Sequence, residues 1–143
     1  MIYITSDHGG FKFKKLIFEY LKGKNIEIED VGPYELTPGD DYPDYIQKLA
    51  QKVLENKDNK GIAICRNGVG VSMAANRYKG IRCALSWNPD HTRSTRYDDD
   101  SNVLALPADH ISEEEALACV RTWLETPFSN EPRHVRRLEK IDK

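Results

Sequence analysis

The sequence predicts an α/β protein built on a parallel β-sheet with helices on both faces. Two observations carry this. Short apolar runs rich in β-branched residues alternate with longer stretches whose apolar residues recur every three to four positions. That alternation builds βαβ crossovers, which pair strands in parallel and bury both faces of the sheet. The chain also has 143 residues, the size of one ordinary domain, so residues 1–143 are read as a single unit.

The elements follow in order. Ile2 to Thr5 is a short strand, and Ser6-Asp7-His8-Gly9-Gly10 is a polar turn after it. Phe13, Leu16, Ile17, Tyr20 and Leu21 recur at helical spacing, with Gly23 as the C-terminal cap. Ile26, Ile28 and Val31 alternate as on an edge strand, and Pro33 to Asp41 is a loop. Pro43 opens a second helix that turns Ile46, Leu49, Ala50, Val53 and Leu54 to the core. Ile62 to Ile64 is a buried third strand, Arg66 to Gly70 a glycine loop, and Val71 to Arg77 a third helix. Ile81 to Ser86 is strand four. Asn88-Pro89-Asp90 supplies a cap, a proline and an acid for a helix ending near Asp98. That helix is polar nearly all round, so it is expected to face solvent, another subunit or a ligand. Val103 to Leu106 is strand five. Ser112 with Glu115 makes a capping box for the helix carrying Leu117, Val120, Trp123 and Leu124. Pro132 opens a last helix with Arg133 and Arg137 four apart and Arg136 and Lys140 beside them.

Composition excludes several function classes. A net charge of −2 points to neither nucleic acid nor an anionic membrane. No apolar run approaches the ~20 residues that span a bilayer, and the N-terminus runs into a strand without a signal-peptide pattern. Cys65, Cys83 and Cys119 are odd in number and lack framework spacing, which fits free thiols in the cytoplasm. No cluster has zinc spacing, so no metal and no cofactor are expected.

The chemistry centres on Gly61 to Arg82. Cys65 ends a buried strand, and a loop with Gly68 and Gly70 leads into a helix. Backbone N–H groups point outward there, and their field favours anions and thiolate over thiol. A thiolate beside such donors can act as a carbon base with an oxyanion hole. Taken alone, the stretch equally suits a small core cysteine and a tight turn. A cysteine phosphatase loop would need an arginine six residues after Cys65, where Val71 stands. Ligands of parallel sheets bind at the carboxyl ends of the strands. Asp7-His8 and Cys65 both sit at such ends, and the Arg133–Arg137 pair offers cations for a phosphate.

Several motifs in one order resemble the ribose-5-phosphate isomerase B and galactose-6-phosphate isomerase family. They are Ser6 to Gly10, Asp41-Tyr42-Pro43, Ile64 to Asn76, Gly80-Ile81-Arg82, Asn102 to Ala105, and Arg133-His134 with Arg137. The resemblance covers almost the whole chain. It implies a three-layer α/β/α sandwich, Rossmann-like, with a five-stranded parallel sheet. It implies a homodimer or homotetramer with each site built across a subunit interface. It also implies aldose–ketose isomerisation of a small phosphorylated sugar through an enediolate, without a metal. By position, Cys65 resembles the base that moves the proton between C1 and C2. The backbone of Asn67, Gly68, Val69 and Gly70 would hold the enediolate oxygen. Asp7 and Tyr42 would bind the sugar, with Arg66 and Asp99 near it. His8, Arg133 and Arg137 would hold the phosphate.

Three departures stand out. Family members carry Cys-Gly-Thr-Gly or Cys-Gly-Ser-Gly where this chain has Cys65-Arg66-Asn67-Gly68. Asn67 can hydrogen-bond but relays protons poorly compared with a hydroxyl. A ring-opening His-Asn pair aligns with Asp98-Asp99, followed by Asp100, so Asp98 takes the role and His91, seven residues earlier, is the competing candidate. A family arginine that reaches the neighbour's phosphate aligns with Asp109, beside His110. The expected activity is interconversion of ribose 5-phosphate and ribulose 5-phosphate in the cytoplasm. The alternatives are another pentose or hexose phosphate, and a non-catalytic binding or regulatory paralogue.

Overall fold

A computed structural model describes residues 1–142. The elements are β1 (Ile2–Ser6), a 3-10 turn (His8–Gly10), α1 (Phe11–Gly23), β2 (Ile28–Asp30), α2 (Tyr42–Leu54) and β3 (Lys60–Cys65). They continue with α3 (Val69–Ala75), β4 (Cys83–Leu85), α4 (Pro89–Tyr97), β5 (Val103–Pro107), α5 (Glu113–Glu125) and α6 (Pro132–Ile141). The five strands form one parallel sheet in the order β2-β1-β3-β5-β4, so β2 and β4 are its edges.

Side-chain alternation along the central strands makes the three layers. Ile2, Ile4, Ile62, Ile64, Leu104 and Leu106 pack with Ile17 and Leu21 of α1 and with Ala116, Val120 and Trp123 of α5. Tyr3, Ala63, Cys65, Val103 and Ala105 point the other way, against Ile46, Leu49 and Val53 of α2 and Val71 and Ala75 of α3. Trp123 is fully buried, and its Nε1–H donates to Ser101 Oγ at 2.9 Å. The Ser112–Glu115 capping box is present. Asn88 caps α4 through the backbone N–H of His91.

Several expectations are corrected. Helix α1 runs through Gly23, and Asn25 at φ 58° takes the left-handed conformation that ends it. Leu54, in the last turn of α2, is 47% exposed rather than in the core. Helix α3 begins at Val69 and stops at Ala75, since the turn at Gly68 closes earlier than the apolar spacing implies. Strand β4 shortens to three residues. Helix α4, expected to face solvent, another subunit or a ligand, buries Thr92, Thr95 and Arg96 where it packs beside α5. Their polar atoms are paired. Thr92 and Thr95 donate to carbonyls one turn back, and Arg96 reaches Asp100, the Ser101 carbonyl and the Thr126 carbonyl. Lys14 is buried in α1 and donates to Asp30 Oδ1 at 2.9 Å and to the Pro33 carbonyl, which ties down the chain leaving β2.

Candidate active site

Strands β1 and β3 are neighbours, with Ser6 opposite Ile64, so their carboxyl ends deliver Asp7, His8 and Cys65 to one place. The Asp7 N–H donates to the Ile64 carbonyl, and Asp7 Oδ1 accepts from the Gly10 N–H at 3.1 Å. Beyond β5, the N–H groups of Ala108 and Asp109 donate to the carbonyls of Cys65 and Arg66 at 2.9 and 2.8 Å. The backbone from Ile64 to Arg66 is therefore held by the segments that follow β1 and β5.

The loop after Cys65 turns on Gly68, whose φ is +73°. A Cβ there would overlap the Leu85 side chain and crowd the backbone at Leu106 and Pro107. This turn aims the Gly68 N–H at Cys65 Sγ, 3.2 Å away, a bond that supports negative charge on sulfur. The thiol can itself donate to Asn67 Oδ1 at 3.7 Å, and the same oxygen accepts from the Val69 N–H at 3.0 Å. The N–H groups of Asn67 and Gly70 have no protein partner among the described residues. Tyr42, at the start of α2, lays its ring over Gly70, where an added Cβ would lie 2.5 Å from Tyr42 Cζ.

These residues enclose a cavity of about 370 Å³ lined by Asp7, His8, Tyr42, Cys65, Asn67 and Gly70, with the exposed Arg66, Val69 and Met73. Arg66 Nη1 lies 3.6 Å from Asp109 Oδ2. His8 is held by Asp40, and Asp7, His8 and Asp40 bring potential ligand atoms within 4.8 Å of one another. His8 Nδ1 and Asp40 Oδ1 are bonded to each other, which leaves this trio poorly suited to a metal. Burial pushes the Asp40 carboxyl up, but its hydrogen bonds with His8 outweigh that and hold it below the ordinary value. Burial also pushes Cys83 up to about 12 against a Ser72 hydrogen bond, and raises Cys119. Neither is a nucleophile at neutral pH; Cys65 is the thiol that meets the cavity.

The other site residues lie elsewhere. His91 and Asp99 line a second groove of about 360 Å³, with Arg82, Cys83, Leu85 and Leu138. His91 Nδ1 is bonded to Ser86 Oγ at 2.8 Å, and its ring stacks on Trp87. Burial and then the neighbouring Asp98 raise the Asp99 carboxyl, with His134 opposing. Asp98 turns instead toward His134, with Oδ1 3.8 Å from Nε2. Arg133 pairs with Glu131 at 3.0 Å, and Arg137 is exposed on α6. None of His91, Asp98, Asp99, Arg133 and Arg137 lines the cysteine cavity. Sequence reasoning missed Asp40, whose only signal was its place in a polar loop, and Met73, which reads as an ordinary helix residue.

The sequence model of a family described as Ribose/Galactose Isomerase matches residues 2–141. The chain belongs to that family. Membership places it among isomerases. It is 43% identical over 140 residues to a protein of Mycoplasma pneumoniae named "Probable ribose-5-phosphate isomerase B", covering 98% of this chain and 91% of that one. A crystal structure of a ribose 5-phosphate isomerase from Thermotoga maritima superposes with a TM-score of 0.94 at 47% identity, covering 99% of this chain and 96% of that one. Ribose-5-phosphate isomerase B of Mycoplasma genitalium, solved with bound ribulose-5-phosphate, gives 0.94 at 41% identity, with 98% and 92% covered. The sandwich and its five parallel strands are those of these structures. Among the described residues, no helix is long and apolar enough to cross a membrane.

Proposed function

We propose that this chain, acting as one domain, interconverts ribose 5-phosphate and ribulose 5-phosphate, with Cys65 as the base. The observation that carries the reading is Cys65 Sγ in the cavity wall, with the Gly68 N–H on sulfur and, in the same loop, the N–H groups of Asn67 and Gly70, which have no partner among the described residues. The thiolate takes the proton from C2 of the open-chain aldose, and the electron pair becomes the C1–C2 double bond of a cis-enediolate. Loop N–H groups stabilise the oxygen charge. The oxygens exchange a proton, and the thiol returns its proton to C1, giving the ketose. Asp7 and Tyr42 hold sugar hydroxyls, while His8 and Arg66 supply cationic or donor groups at the cavity. Relatives bearing the isomerase B name, and the ribulose-5-phosphate complex of the Mycoplasma genitalium protein, support the choice of substrate.

Ring opening is assigned to Asp98, which fills the aligned position, with His91 as its rival. Both lie outside the cysteine cavity, as do Arg133 and Arg137. The reading therefore needs a second copy of the chain to bring them in. Exposed Val69 and Met73 at the cavity, 41% and 62% accessible, suit such a cover. Three free thiols suit a cytoplasmic location.

A second reading is a protein that binds the sugar phosphate without turning it over. It is favoured by Asn67 in place of a hydroxyl and Asp98 in place of an imidazole. Incubation with ribose 5-phosphate in D₂O separates the two. An isomerase forms ribulose 5-phosphate labelled with deuterium at C1 and exchanges the C2 proton of the remaining ribose 5-phosphate, both followed by NMR. Protection of the sugar from exchange, despite binding, would establish the second reading.

A further inference from the structure

His8 opens the 3-10 turn after β1, and its ring lines the cysteine cavity. Asp40 arrives from the loop before α2, 32 residues along the chain. One carboxylate oxygen, Oδ1, accepts from the backbone N–H of His8 at 3.0 Å and bonds its ring Nδ1 at 2.7 Å. Two bonds from separate parts of one residue to one oxygen fix both the turn and the ring angle. The Asp40 side chain is only 5% exposed although its loop is on the surface, and Oδ2 is buried with no hydrogen-bond partner among the described residues. Desolvating a carboxylate is costly unless its charge is used. With Nδ1 engaged, Nε2 is the ring nitrogen left for a ligand.

We propose that Asp40 is a positioning residue: it locks the ring of His8 with Nδ1 turned inward, so that Nε2 meets the anionic end of a ligand in the cavity. This rests on the sugar-phosphate reading above. In the neutral ring, a carboxylate at Nδ1 can only accept, so the proton sits on Nδ1 and Nε2 is bare. In the protonated ring both nitrogens donate, Nδ1 to Asp40 and Nε2 to a phosphate oxygen, and one cation bridges two anions. Burial pushes the Asp40 carboxyl up, but its two hydrogen bonds with His8 outweigh that, so it is held below the ordinary value and stays ionised at neutral pH. Tyr45 packs beside it, its hydroxyl raised by burial and then by Asp40, so it stays neutral and adds no competing charge.

The test uses the ring nitrogens of His8 in ¹⁵N NMR, with inorganic phosphate as the probe for binding. At about pH 9 the neutral wild-type ring should show the Nδ1–H tautomer. Asp40→Ala should shift His8 toward the Nε2–H form. It should weaken inorganic phosphate roughly tenfold near neutral pH. It should also raise KM for the sugar phosphate more than it lowers kcat. Asp40→Asn keeps an acceptor of the same shape and should retain the wild-type tautomer. An unchanged tautomer in Asp40→Ala overturns the proposal. So does a changed tautomer with unchanged phosphate affinity, or an Asp40→Asn variant that behaves like the alanine. Failure of the isomerase reading is a separate result: it would appear as absent deuterium exchange in the wild type, with the His8 tautomer still set by Asp40.

Discussion

Gly68→Ala perturbs the turn that aims a donor at the sulfur. A residue with a Cβ in the left-handed region costs about 1–2 kcal/mol, and Gly68 sits at φ +73°. The new methyl would also overlap Leu85 and press on backbone atoms of Leu106 and Pro107, which cannot swing aside as a side chain would. Overpacking of this kind adds about 1–3 kcal/mol. The total is about 2–5 kcal/mol, and at this chain length each kcal/mol moves Tm by about 2–4 °C. Thermal unfolding should therefore show a fall of roughly 4–20 °C. Relief of the clash moves the Gly68 N–H off Cys65 Sγ, so kcat should fall by about tenfold or more, the worth of one charge-assisted hydrogen bond. Gly23→Ala is the control. It sits in α1 with open space around an added Cβ, so it should be neutral or stabilising by up to ~1 kcal/mol. A Gly68→Ala protein within about 2 °C of wild type, with unchanged kcat, would refute the reasoning.

Arg137→Ala should raise KM roughly tenfold to a hundredfold, and unchanged KM with unchanged phosphate inhibition places the phosphate elsewhere. Co-expressing it with a Cys65→Ala chain tests the shared site. In a two-fold dimer the hybrids keep one intact site, so about a quarter of wild-type activity returns; no recovery argues against assembly of the site from two copies. Asp98→Asn should slow turnover of the cyclic substrate and spare an open-chain one, whereas the same selective loss in His91→Gln moves the role to the histidine. Asp99→Asn tests the raised carboxyl in the groove. An acid raised by folding holds its proton more tightly in the folded state, so stability falls as pH rises through its folded value. The variant should have the higher Tm at pH 7, and the gain should vanish near about pH 3, below the ordinary carboxylate range. A constant difference at both pH values contradicts that origin.

The order of strands and helices was legible because each central strand is a short apolar run and four of the six helices carry their own start signal. Asn88-Pro89-Asp90 and Ser112 with Glu115 are local, and both caps form. The cysteine loop was legible for the same reason: Cys65 to Gly70 is contiguous, and its geometry follows from where the strand stops. What failed were features decided across the chain. Lys14 reads as a surface residue of an amphipathic helix, yet Asp30 and the Pro33 carbonyl take it inside. Thr92, Thr95 and Arg96 are polar, yet they form the buried face of α4 against α5, and Arg96 bonds the Thr126 carbonyl 30 residues along the chain. Asp40 meets His8 across 32 residues, beyond any spacing rule. Gly23 was the obvious helix stop, but Asn25 also tolerates the left-handed turn and comes two residues later.

The central claim is that Cys65 moves the proton, and one measurement addresses it most directly. Exchange of the C2 proton of ribose 5-phosphate with solvent is followed by NMR in wild type and in Cys65→Ala, alongside binding of inorganic phosphate. Cys65 is buried to 95% in a wall that alanine can occupy without new contacts, so the fold and phosphate affinity should persist. The account predicts that exchange and isomerisation both disappear in a folded protein that still binds phosphate. Exchange at a near wild-type rate in Cys65→Ala would contradict it, because the proton would then be moving through another group.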